Sequence, residues 1–137
     1  MSRNATENMP DWYFNTKFEL PVVPEYYPPK FAIITAFNPM NQELNLKKNL
    51  SRNKVLEIEL RQSYDWVYQI NGFDEKTGHK EDGFMFEAIS IDEACNLGLK
   101  YFQDAIYYIE NLKMYVVKCA IGQRKVIEVG DFLSRIV

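Results

Sequence analysis

Glu87 carries the most pointed chemistry in the chain, a carboxylate within the run Phe84-Met85-Phe86-Glu87-Ala88-Ile89, where strand alternation puts it on the side of Met85 and Ile89. An apolar setting would raise its pKa and make it a general base, whereas donors such as Gln103, Asn38 or a backbone N–H would hold it ionised as a ligand anchor. It fits equally well as an acceptor of structural hydrogen bonds that tethers a loop. Thr35 and Asn38 flank the exit of the apolar run around Phe31–Phe37. Ligands of open sheets sit beyond such strand ends, where the next helix offers N–H donors. Asn38 before Pro39 also fits an ordinary helix cap or Asx turn. Gln103 is placed to orient Glu87 or a ligand amide, or to cap the carbonyls that end a helix.

Other residues suggest surfaces rather than reactions. Asn41, Asn45, Asn49 and Asn53 recur at spacing four, a row that drifts by about 40° per step around a helix. Such a row either reads a partner's polar backbone or forms a solvated face with one buried amide near Asn53. Phe84 and Phe86, with Trp12, Asn45 and Asn49, make up the candidate partner surface. The string Asp82–Ile89 partly matches the aromatic strand of RNA-recognition motifs, with Phe84 and Phe86 as base-stacking residues. Asp82 stands where a basic residue is needed and Glu87 would repel phosphate, so nucleic acid is the weaker reading. His79 is the only histidine and lies in a polar stretch, and no Cys-x-x-Cys, Gly-rich phosphate loop or Ser-centred elbow occurs. Neither a metal site nor a cofactor is expected.

The elements that must position these residues follow from pattern. Tyr13–Leu20 alternates and reads as an edge strand; Phe31–Phe37, apolar and β-branched, reads as a central strand stopped by Asn38-Pro39. From Glu43 to Gln62, with Leu46, Leu50, Leu56 and Leu60 as its stripe, the spacing predicts a helix. Trp66–Phe73 and Phe84–Ile89 alternate again and predict a hairpin whose long tip is Asp74–Gly83. Ser90-Ile91-Asp92-Glu93 is a capping box that opens a second helix running to about Phe102, in which Gly98 implies close approach to the sheet. Strands Ala105–Ile109 and Met114–Ala120 meet at the turn 110–113, and Lys125–Val129 adds a further strand.

The 137 residues are 47% hydrophobic, enough for one core and one domain. All six prolines fall within the first 39 positions, so residues 1–29 read as an aromatic, proline-rich arm and residues 30–137 as the core. Sixteen basic against nineteen acidic residues argue against a partner held through phosphate charge. No apolar run of membrane length and no signal region is present, and two isolated cysteines suit a reducing compartment, so a cytoplasmic location is expected.

Phe31-Ala32-Ile33-Ile34-Thr35-Ala36-Phe37-Asn38-Pro39 resembles the ITA-aromatic-NP strand of a bacterial family known as domain of unknown function 3293. Tyr13-x-x-Thr16-x-Phe18 resembles that family's N-terminal tyrosine and threonine pattern. Phe86-Glu87-Ala88-Ile89 sits where the family has Glu-Pro-Ser, and Phe102-Gln103-Asp104-Ala105-Ile106 is similar to its Phe-Gly-Gln-Asn-Ala. The resemblance implies a similar fold and a bacterial or phage source, adds Tyr13 and Thr16 to the candidate ligand-binding residues, and carries no activity.

The expected fold is α+β, a mixed or antiparallel sheet of five to seven strands with two helices on one face. Its order is β-α-β-β-α-β-β, the split βαβ or ferredoxin-like order, preceded by an arm strand. Several strands are apolar on both sides, so the second face needs a cover, for which the arm, a homodimer partner and a ligand compete. The function expected is a binding or protein-interaction domain for a small polar or nucleotide-like ligand near Thr35, Asn38, Glu87 and Gln103. The alternatives are a metal-free enzyme with Glu87 as base, and an inhibitor that binds a host protein.

Overall fold

The computed structural model describes residues 11–137. Along them run a helical turn α1 (Trp12–Asn15), strands β1 (Lys17–Glu19) and β2 (Lys30–Ile34), helix α2 (Leu46–Ser63), strands β3 (Val67–Phe73) and β4 (Lys80–Phe86), helix α3 (Ile91–Lys100), and strands β5 (Ala105–Glu110), β6 (Lys113–Lys118) and β7 (Val126–Asp131). The strands form one antiparallel sheet in the order β1-β3-β4-β2-β5-β6-β7. The architecture is α+β.

Alternation sorts each strand between two cores. Ala32 and Ile34 of β2, Phe84 and Phe86 of β4, and Ile106 and Tyr108 of β5 face α2 and α3 and pack with Leu56, Leu60, Ala94 and Cys95. Phe31, Ile33, Met85, Tyr107 and Ile109 face the other way, into a second core completed by Tyr13, Phe18 and Phe132. The sheet curls around that second core. Phe18 of β1, at one edge, bridges to Ile136, which follows the strand at the other edge, and the Val137 N–H donates to the Phe18 carbonyl at 3.0 Å. Arg135 locks the closure by donating to the carbonyls of Phe14 and Thr16, each at 3.0 Å, and to that of Val129. The described part of the arm therefore packs on its own sheet through Tyr13, Phe18 and Tyr27, while its residues 1–10 lie outside the described residues.

Local chemistry shifts several boundaries. The arm strand shrinks to β1, because Tyr13 and Thr16 are buried at the three-residue spacing of a helical turn and the Thr16 hydroxyl donates to the Trp12 carbonyl at 2.5 Å. β2 stops at Ile34, where the Thr35 hydroxyl donates to the Asp82 carbonyl at 2.5 Å and accepts from Phe37 N–H at 3.0 Å, diverting the backbone from the ladder. Beside it, a Cβ on Gly83 would stand 2.6 Å from the Ile34 carbonyl oxygen, so only glycine lets β4 approach there. β4 starts at Lys80, earlier than apolar alternation indicated, and the hairpin tip contracts to residues 74–79, wound around the Asp74 carboxylate, which accepts from the Thr77 N–H and hydroxyl. β4 also ends at Phe86, short of Ile89.

The largest departure is the inward face of α2. Leu46 and Leu50 are exposed, and the buried positions are Asn49, Asn53, Leu56 and Leu60. Half of the expected leucine stripe is thus replaced by amides. α3 keeps its Ser90 cap, which accepts from Glu93 N–H at 3.1 Å, but the Glu93 side chain accepts from the Tyr64 hydroxyl instead of closing the box. Gly98 packs as its position implied, since a Cβ there would lie 2.7 Å from Cys119 Sγ.

Two stability predictions follow from the closure and from the amide stripe. Arg135→Ala should cost about 1–3 kcal/mol in urea unfolding, since charge-assisted bonds to three carbonyls are lost, and Phe132→Ala about 3–5 kcal/mol from an emptied core position; an unchanged midpoint for both would show that the curl is not closed by these residues. Asn53→Leu, which strips Ala36 N–H of its acceptor, should destabilise by about 1–3 kcal/mol despite adding apolar volume.

Candidate functional site

The site begins with the segment 35–41 that leaves β2 and is buried at Ala36, Phe37 and Asn38. Its polar groups are met by α2. Asn53 Oδ1 accepts from Ala36 N–H at 3.0 Å, Arg52 Nε donates to the Ala36 carbonyl at 2.7 Å, and Asn49 Oδ1 accepts from Asn38 N–H at 2.8 Å. Gln103, from the loop after α3, donates to the Phe37 carbonyl at 3.0 Å and to that of Tyr101 at 3.2 Å. The Asn38 side-chain oxygen accepts from Asn49 Nδ2 at 2.8 Å and from Leu44 N–H at 3.0 Å, which fixes the orientation of its amide. Its nitrogen is thereby aimed at Glu81.

Backbone strain collects at the same place. Asn38, Met40 and Asn41 take φ values of 47°, 49° and 63°, and Phe102, whose carbonyl accepts from Met40 N–H at 2.5 Å, takes 58°. Asparagine tolerates the left-handed region, whereas for Met and Phe it costs about 1–2 kcal/mol each. Such strain persists where surrounding structure over-determines it, and it gathers at functional sites.

Four elements converge beyond this turn. Glu81 Oε2, on β4, accepts from Asn38 Nδ2 at 3.3 Å and lies 2.9 Å from His79 Nε2. The His79 ring lies tilted against Trp12 at a centroid distance of 4.3 Å, and Trp12 stacks on Tyr13 at 4.2 Å. The Tyr13 hydroxyl donates to Asn41 Oδ1 at 3.2 Å, and Asn41 Nδ2 donates to Asp104 Oδ2 at 3.3 Å. Tyr107 holds the arm from below, its hydroxyl donating to the Tyr13 carbonyl at 2.6 Å.

Two hollows flank this network. An inner one of about 50 Å³ is lined by Tyr13, Thr16, Thr35, Gln103 and Tyr107 among others, and an outer recess of about 220 Å³ by Trp12, Asn38, Asn41, Glu43, His79 and Glu81. Trp12 and Glu81 line both and form the partition between them. The hydrogen bond to Glu81 holds the His79 pKa above the ordinary histidine value, against burial, with the charges of Glu81, Glu43 and Asp74 adding to it. Burial, reinforced by the Glu81 charge, holds the Tyr13 hydroxyl well above the usual tyrosine range, so it stays a donor.

The structure brings Tyr13, Thr16, Thr35, Gln103, Asn38 and Trp12 to one place. It does not bring Glu87 there. Glu87 is exposed beyond the end of β4, because the alternation that put it beside Met85 stops at Phe86, and the amide nitrogens of Asn38 and Gln103 are directed to Glu81 and to backbone carbonyls. The carboxylate of this site is Glu81. Phe84 and Phe86 are buried under the helices and closed to any partner or base, Asn49 is buried, and Asn45 is the exposed cap of α2, accepting from Lys48 N–H. His79 and Glu81 escaped the sequence reading because they were placed in a hairpin tip. Their spacing of two, at the entry to β4, lets both side chains line the same recess.

Among the described residues no helix is long and apolar enough to cross a membrane, and no group of three or more His, Cys, Asp or Glu could hold a metal ion. No curated protein and no solved structure matches the chain significantly. The model of a family described as "Protein of unknown function (DUF3293)" matches residues 34–106. That span holds Thr35, Asn38, Asn41, His79, Glu81, Gln103 and Asp104, while Trp12, Tyr13 and Thr16 of the arm lie outside it. Covering more than half of the chain, the match identifies the protein as a member of the DUF3293 family.

Proposed function

We propose that this protein is a binding domain for a small polar ligand, held in the recess between the arm and the β4 carboxylate. The observation that carries the reading is the convergence of Trp12, Asn38, His79 and Glu81 on one hollow of about 220 Å³. The Asn38 amide that lines it is fixed in orientation by a buried network rather than left to solvent. Ligand sites combine an apolar wall with a few fixed polar groups, and here Trp12 supplies the wall. The order β3-β4-β2-β5, with α2 and α3 on one face, supports reading the central part as the split βαβ, ferredoxin-like arrangement, to which β1, β6 and β7 are additions.

A second reading, acid–base catalysis in the same recess, draws on His79 alone. An imidazole held by a carboxylate has its ring orientation fixed and its basicity raised. This role passes from Glu87 to His79, because Glu87 lines neither hollow.

Both readings need the His79–Glu81 pair, and its titration tests it. The folded-state pKa of His79 is raised above the unfolded one, so the pair stabilises the fold fully below about pH 6.5 and loses that contribution as pH rises through the folded value. NMR titration should place His79 above 6.5 in the native protein and lower it in Glu81→Gln; equal values in the two proteins would dissolve the pair. In a thermal-shift screen of polar fragments, a compound that raises the Tm of the native protein should leave that of Trp12→Ala unmoved. A shift of the same size in both would place the ligand elsewhere.

A further inference from the structure

The recess already holds one occupant, its own histidine, and the manner of holding is specific. The His79 ring lies against the face of Trp12, 4.3 Å between centroids and 33° between planes, with Nε2 2.9 Å from the Glu81 carboxylate. A flat nitrogen group over an indole with an N–H directed at a carboxylate is how proteins hold planar organic cations. Glu43 joins Glu81 in the lining, and among the described residues no lysine or arginine lines the hollow. A phosphate or carboxylate placed there would meet two like charges and no fixed cation.

We propose that the recess takes a planar organic cation of the guanidinium or amidinium class, anchored on the Glu81 carboxylate and stacked on Trp12, in the place that His79 occupies in the unliganded protein. This rests on the ligand-binding reading of the same recess. The hollow, about 220 Å³, suits a group of that size on a short chain rather than a drug-sized molecule. Asn38 Nδ2, already 3.3 Å from Glu81 Oε2, stays on the anchor. The carboxylates acting on the His79 ring are Glu81 at the start of β4, Asp74 in the same hairpin tip and Glu43 in the loop before α2, while Trp12 faces it from the arm uncharged. A cation that displaces protonated His79 from Glu81 releases a proton. Its affinity therefore rises with pH through the His79 titration.

The test is an NMR titration of the full chain with agmatine, adenosine monophosphate and propionamide at pH 6 and pH 8. Agmatine is expected to shift the Trp12 indole and His79 resonances, to bind more tightly at pH 8, and to lose at least tenfold in affinity in Glu81→Gln and in Trp12→Leu. Glu87→Gln, exposed and outside the recess, should bind it as the native protein does. Glutamine still accepts from Asn38, so Glu81→Gln keeps the turn, and signal dispersion confirms that each variant is folded. Agmatine binding undiminished in both recess variants overturns the proposal. Failure of agmatine at 10 mM overturns it as well; binding of the nucleotide or the amide at Trp12 would then leave the ligand-binding reading standing, and no shift with any of the three would remove both.

Discussion

A sheet that is apolar on both sides is stable in water only when both sides are covered, and in this protein the two covers are of different kinds. Helices α2 and α3 take the face of Phe84 and Phe86. The other face, carrying Phe31, Met85 and Ile109, has no helix of comparable length among the described residues and is covered by the sheet's own curl, closed by the arm and the C-terminal residues. Burial of the arm is therefore not an ornament on a finished domain. Without Tyr13 and Phe18 the second core is open, and without Arg135 the arm loses its side-chain ties to the chain's far end, keeping only the backbone contacts of Phe18 with Ile136 and Val137.

The same closure makes the site. Trp12 and Tyr13 are where they are because Thr16, Phe18 and Tyr107 fix the arm's path across the sheet, and that path ends against His79. On the opposite wall, the buried amides of α2 exist to satisfy a backbone that has left the ladder, and in doing so they orient Asn38 toward Glu81. Core packing and site geometry are thus one problem solved twice by the same residues. Strain at Met40 and Phe102 is tolerated because Arg52, Asn49 and Gln103 hold the surrounding carbonyls and N–H groups in place.

Much of this was legible before any coordinates. A continuous apolar, β-branched run located β2, alternation located β3, the capping serine placed α3, and the confinement of proline to the first 39 residues marked an arm that had to lie across something. What could not be read was set by long-range contacts or by polar residues doing apolar residues' jobs. The inward face of α2 is half asparagine, which a hydrophobic stripe cannot reveal. The first rungs of β4 are Lys80, Glu81 and Asp82, so apolar alternation missed them and the site carboxylate with them, while the same pattern extended past Phe86 promoted Glu87. Phe132 and Arg135 reach back across more than a hundred residues, and nothing local announces that partnership.

The central claim is that the arm is an integral layer which both seals the second core and walls the recess. Hydrogen exchange at Lys17–Glu19, the strand that pairs with Asn71–Phe73, tests it most directly. The account predicts protection of these amides comparable with that of the inner strand β4. Exchange at the rate of an unfolded chain in β1, with β4 still protected, would contradict it.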